Sequence, residues 1–201
     1  MDLFQRAPTF DDPIGMLRAC HRRIERALEA MARVAAREEA GTLDAQAREV
    51  LGATLHYFAT GVPRHAQDEE ESLFPRLREQ LESSGAALSG LDALEEEHVA
   101  ADAAHRELDR LGQELLDTGQ FLDPWDRTRF RALIRHLQAL YSEHIRCEDD
   151  EILPLAASLL DSREQLAVGA EMAARRGIDW KEHRRQVADL AAHRWDRGEH
   201  R

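Results

Sequence analysis

Two histidine–glutamate pairs, His65 with Glu69 and His144 with Glu148, are each spaced four residues apart. On an α-helix that spacing stacks both side chains on one face about 6 Å apart, so an imidazole nitrogen and a carboxylate oxygen can grip one cation. The spacing alone carries little weight. With 39 acidic residues in 201, ten histidines meet such a partner about twice by chance, and an exposed pair contributes only ~0.3–0.5 kcal/mol. The surroundings change that balance: His65, Glu69, Glu70, Glu71, Leu73, Phe74 and Pro75 align without a gap on His144, Glu148, Asp149, Asp150, Ile152, Leu153 and Pro154. Another helical histidine precedes each segment, His21 by 44 residues and His98 by 46. The chain therefore reads as a helix pair used twice.

Folded antiparallel, the pairs bring His21, His65 and Glu69 together with His98, His144 and Glu148 around a pseudo-twofold axis. Two buried carboxylates and four imidazoles would cost several kcal/mol of desolvation, whereas two divalent ions turn the same groups into ligands. Mixed nitrogen and oxygen donors suit iron, manganese or zinc. Ferritin-like bundles instead use Glu-x-x-His and more carboxylates than histidines, so this order and spacing argue against that class.

Positioning these groups requires long helices, and the chain supplies their signals. Ala, Leu, Glu and Arg dominate and aromatics are few, at 5%, which favours helices over strands. Asp11, Asp12 and Pro13 start a helix over about 12–38 along Ile14, Leu17, Ile24, Leu28 and Met31. Gly41 closes it. A second helix runs from about Leu43 to Ser83, bent at Gly61 and Pro63 because proline lacks the hydrogen-bonding N–H. A third spans Leu91 to Leu116 and ends at Gly119, and Asp123–Pro124 starts a fourth that reaches Leu160. Short connections make neighbours antiparallel. The fold class expected is all-α: an up-and-down antiparallel four-helix bundle over 1–160, with a C-terminal helical extension over 161–201 packing on or beside it. The extension carries one pattern through Leu166, Val168 and Met172 and another through Trp180, Val187 and Leu190 after Gly177.

At this point the residues resemble the hemerythrin-like, or HHE cation-binding, family: a histidine on helix one, a His-x-x-x-Glu helix ending in Leu-Phe-Pro, and the same again. The resemblance covers about residues 12 to 160. It implies two iron ions bridged by Glu69 and Glu148, with His21, His65, His98 and His144 as terminal ligands. Oxygen-carrying hemerythrins present two histidines four apart on the third helix. Here the position four after His98 is Asp102, which puts a carrier role in doubt. Asp102 and its helix-one equivalent Glu25 read as extra ligands, as partners that orient histidine, or as surface acids.

Four protein donors per ion leave two octahedral positions, one for a solvent bridge and one open to oxygen, nitric oxide or peroxide. Tyr141, three residues before His144, faces that position or packs as amphipathic core. His105, two turns after His98, is a candidate pocket wall. His56 and His136 read as core or boundary groups, and His183, His193 and His200 as surface residues. Cys20 and Cys147 lack the spacing of a zinc or redox motif and read as free, buried thiols.

The functions that follow are a protein that binds or senses a small oxidant, a di-iron enzyme with peroxidase-like or damage-repair activity, a metal-stabilised structural bundle, and iron storage, in that order. A net charge of −12 argues against nucleic acid. No leader pattern opens the chain and no apolar run nears the ~20 residues that cross a bilayer, so a cytoplasmic location without membrane partners is expected.

Overall fold

A computed structural model describes residues 9–39, 41, 43–84, 89–180, 182 and 185. Its elements are helices: α1 (Pro13–Glu39), α2 (Ala45–Asp68), α3 (Phe74–Ser84), α4 (Ser89–Thr118), α5 (Pro124–Cys147), α6 (Leu153–Leu159) and α7 (Ser162–Arg175). Two five-residue π turns, Glu69–Leu73 and Glu148–Ile152, join α2 to α3 and α5 to α6 without a break. The capping signals act as their residue types dictate. Asp12, Asp44 and Asp123 accept from the amides of Gly15, Ala47 and Trp125, satisfying N–H groups that have no intrahelical partner. Gly119, past the end of α4, sits at φ +81°, where a side chain would be strained.

Helices α1, α2, α4 and α5 form a closed ring in which each packs on two others. Contacts between α1 and α2 pair Arg37 with Asp44 and His21 with His65, and those between α4 and α5 pair Arg110 with Asp126 and His98 with His144. Numbers rising on one helix while falling on the other mark antiparallel neighbours, the expected up-and-down bundle.

The sequence places the irregularity at Pro63, but α2 continues through it. Pro63 and Ala59, whose carbonyl loses its partner, are both exposed, so water can satisfy the freed group. The irregularity falls instead at the two π turns. In each, the residue before a proline donates five residues back, Phe74 to Glu69 and Leu153 to Glu148. Pro75 and Pro154 would crowd the carbonyl four residues back in a regular helix, and the wider turn relieves that contact.

The core is in two parts. One apolar cluster includes Ile24, Val62, Ala101 and Ile145, and the other includes Leu17, Leu73, Leu94 and Ile152. On each of the four helices the switch between clusters falls at a site residue: His21, His65 with Glu69, His98, and His144 with Glu148. α7 covers the second cluster with Val168, Met172 and Ala173. Trp180 also packs there, while Val187 and Leu190 lie outside the described residues.

Candidate metal centre

The layer between the two apolar clusters gathers six side chains. His21, His65, Glu69 and Glu148 form one group and Glu69, His98, His144 and Glu148 a second, and within each group one donor atom per residue lies within 4.8 Å of all the others. Both glutamates belong to both groups. Glu69 turns Oε1 toward His21 Nε2 (3.7 Å) and His65 Nδ1 (3.5 Å), and Oε2 toward His98 Nε2 (3.6 Å). Glu148 Oε2 lies 3.0 Å from His21 Nε2 and 3.3 Å from His144 Nε2. His98 Nε2 and His144 Nε2 are 3.1 Å apart. Two nitrogens bound at about 2.1 Å and at right angles to one metal ion stand about 3.0 Å apart, so the spacing suits adjacent ligands.

Buried polar atoms rarely go without hydrogen bonds. Among the described residues, ten buried side-chain atoms do, and seven are His21 Nε2, both ring nitrogens of His65 and all four carboxylate oxygens of Glu69 and Glu148. Their close approaches are misaligned for hydrogen bonding, as expected of lone pairs aimed at shared points rather than at each other. The donor set thus fits two cations.

The electrostatics agree. Burial, reinforced by the charge of Glu148, raises the Glu69 carboxyl to about 8. Burial also opposes ionisation of Glu148, but His144 and His21 outweigh it and hold that carboxyl below the ordinary range. Burial lowers His65 well below its ordinary value, helped by the charge of His21. His21 and His144 are driven up, against burial, to about 12 and about 9 by the carboxylates around them. The layer holds more opposed charge than it can comfortably ionise, and a divalent ion in each group would relieve that conflict.

Three further carboxylates, which sequence reasoning missed, hold the outer histidine nitrogens. His21 Nδ1 donates to Asp149 (3.0 Å), His98 Nδ1 to Glu70 (2.7 Å) and His144 Nδ1 to Glu97 (2.8 Å). Such bonds favour the tautomer in which Nε2 turns its lone pair inward, free to hold a cation. Glu70 and Asp149 occupy equivalent positions of the internal repeat, directly after the shared glutamates, and that repeated acid was the available signal. Of the three readings of Glu25 and Asp102 the surface acid holds: both are exposed and outside both groups, and Asp102 pairs with Arg106. Residues at i+3 and i+7, Ile24 and Leu28 or Ala101 and His105, take the inward face, which turns position i+4 toward solvent.

A cavity of about 480 Å³ between α2 and α4 reaches the second group, lined among others by Phe58, Val62, His98, His105 and Tyr141. Tyr141 is buried and its hydroxyl pairs with His105 Nε2 at 2.9 Å. Burial lowers His105 to about 4, so the ring paired with the tyrosine is neutral. His56 and His136, read as core or boundary groups, are exposed instead. His183, His193 and His200 lie outside the described residues. Cys20 and Cys147 are free, Cys20 buried and Cys147 only partly so; burial raises both thiols.

No helix among the described residues is long and apolar enough to cross a membrane. No curated protein matches the chain. The family model described as the hemerythrin HHE cation binding domain matches residues 12–156, which span the ring of four helices and every member of both groups. The chain therefore belongs to the hemerythrin HHE cation-binding family.

Proposed function

We propose that this protein holds two iron ions, one in each histidine group, with Glu69 and Glu148 bridging them and His21, His65, His98 and His144 as terminal ligands, and that the centre binds or senses oxygen, nitric oxide or a peroxide. The observation that carries the reading is the gathering of imidazole and carboxylate donor atoms, seven of them buried without a hydrogen bond, into two groups that share both glutamates. Iron would supply reversible binding of a small oxidant, and manganese or zinc would satisfy the same donors without the same redox behaviour.

The chain's own residues do the rest. Asp149, Glu70 and Glu97 keep three histidines in the tautomer that points Nε2 inward. Phe58 and Val62 give the cavity beside His98 an apolar wall. The Tyr141 hydroxyl and His105 form a neutral hydrogen-bonded pair in that cavity wall, where a bound oxidant would meet it. That pair also supports a second reading, a peroxidase-like enzyme, because it offers a proton held at the Tyr141 oxygen. Free thiols suit a reducing, cytoplasmic setting.

Elemental analysis of protein expressed with iron, followed on the same sample by optical spectra reduced, oxidised and exposed to oxygen, nitric oxide and peroxide, tests the proposal. Near two irons per chain with a ligand-dependent band is expected. One zinc per chain without redox response would refute it, and turnover of peroxide would favour the enzyme.

A further inference from the structure

Helix α7 lies beyond the region matched to the family, yet its arginines reach the turn that carries Glu69. Asp68, immediately before Glu69, is fully buried at 0% exposure. Arg176 donates through Nη2 to Asp68 Oδ2 at 2.7 Å and through Nη1 to Oδ1 at 3.2 Å, and Arg175 Nη1 donates to Oδ1 at 2.9 Å. Arg175 also reaches Ser72 Oγ (2.6 Å) and Glu71 Oε2 (3.1 Å). Two guanidiniums thus hold the chain on both sides of Glu69. α7 is firmly seated in turn. Gly169 lies so close to Phe10 that a Cβ there would fall 1.8 Å from its carbonyl oxygen, and Arg76 grips Glu171 with two bonds of 2.7 and 3.0 Å.

Stability alone does not account for this arrangement, because a buried ion pair is often no better than apolar side chains of the same volume. Directional bonds between planar groups do fix position. The second π turn is built differently: the residue before Glu148 is Cys147, which offers no carboxylate to clamp.

We propose that Arg175 and Arg176 are positioning residues of the metal centre: through Asp68 they fix the π turn so that the two oxygens of Glu69 face the two histidine groups. This rests on the metal-binding reading above. Because Glu69 belongs to both groups, releasing the turn weakens both ions.

The test is titration of the full chain with cobalt(II), followed by absorbance, for the wild type and three variants. R175Q/R176Q removes the clamp. D68N/R175Q/R176Q removes it without leaving a buried carboxylate unpaired, and so covers the case in which the first variant fails to fold. Q80A loosens α7 at its other end, where Gln80 donates to Glu164 at 3.0 Å, without touching the π turn. The expected result is two ions in the wild type, both bound about 10–100-fold more weakly in the clamp variants with shifted cobalt bands, and wild-type affinity and bands in Q80A, whatever its metal-free thermal stability. R175K/R176K should recover part of the affinity. Unchanged affinity and bands in the clamp variants, or an equal loss in Q80A, would overturn the positioning role. A wild type that takes up no cobalt would overturn the metal reading itself.

Discussion

Replacing Glu69 with glutamine should stabilise the protein without metal and destabilise it with metal, and the first effect should depend on pH. Burial and the charge of Glu148 raise the Glu69 carboxyl from 4.5 to about 8. A carboxyl raised on folding binds more protons folded than unfolded, so the stability it contributes is complete below about 4.5 and is lost as pH rises through about 8. Each unit in that window costs about 1.4 kcal/mol, so at pH 7 the burial of Glu69 costs the metal-free protein on the order of 3 kcal/mol. Glutamine keeps the shape and has no proton to lose. Metal-free E69Q should therefore exceed the wild type by up to about 3 kcal/mol at pH 7 and match it near pH 4.5. With metal the order reverses, since the variant lacks a carboxylate shared by both groups and gains less from binding. Urea unfolding followed by circular dichroism, at pH 4.5, 6 and 7, with chelator and with saturating metal, gives all the required differences. An E69Q protein less stable than the wild type by the same amount at every pH, with or without metal, would refute the reasoning.

The carboxylates behind the histidines should matter where the neighbouring acids do not. Asp149→Asn, Glu70→Gln and Glu97→Gln should each weaken metal about 10–100-fold in competition with a chelator, whereas Glu25→Gln should match the wild type. Tyr141→Phe strands His105 in a buried site and should cost about 1–3 kcal/mol in urea unfolding while leaving metal content unchanged. Chelation should lower the melting temperature, because metal bound to the folded chain stabilises it by mass action, and scanning calorimetry before and after metal removal measures the shift.

The helices and the six inward side chains were legible because local signals wrote them. Capping aspartates and prolines mark where helices begin, and an internal repeat singles out two of the many acids near histidines. What failed to show depends on register between helices. Glu70 and Asp149 stand next to the shared glutamates in sequence, yet they hold histidines of the opposite repeat, a pairing that only the packed bundle creates. The π turns had a signal in the proline six residues after each shared glutamate. Hydrophobic periodicity cannot tell whether a helix absorbs a proline by bending, by exposing a carbonyl to water as at Pro63, or by widening its turn as at Pro75. Glu25 and Asp102 stayed open among three readings for a related reason, and the structure keeps the surface acid: counting four residues along a helix finds a neighbour of histidine but not which way that neighbour points.

The duplication is also imperfect in a way that bears on the chemistry. Glu97, just before His98, holds His144, whereas the equivalent residue before His21 is Cys20, a buried thiol with a raised pKa, and His65 is left without a hydrogen-bond partner. Asp68 before Glu69 is answered by Cys147 before Glu148. The two histidine groups are therefore unequal. In the second, carboxylates back both imidazoles, which raises their basicity as donors, and the cavity reaches this group through His98. In the first, His65 is enclosed in the bundle, and the π turn that follows it is tied down by α7. A centre meant only to staple four helices together would need neither a cavity at one group nor a difference between the two, so the asymmetry favours a small-molecule role over a purely structural one.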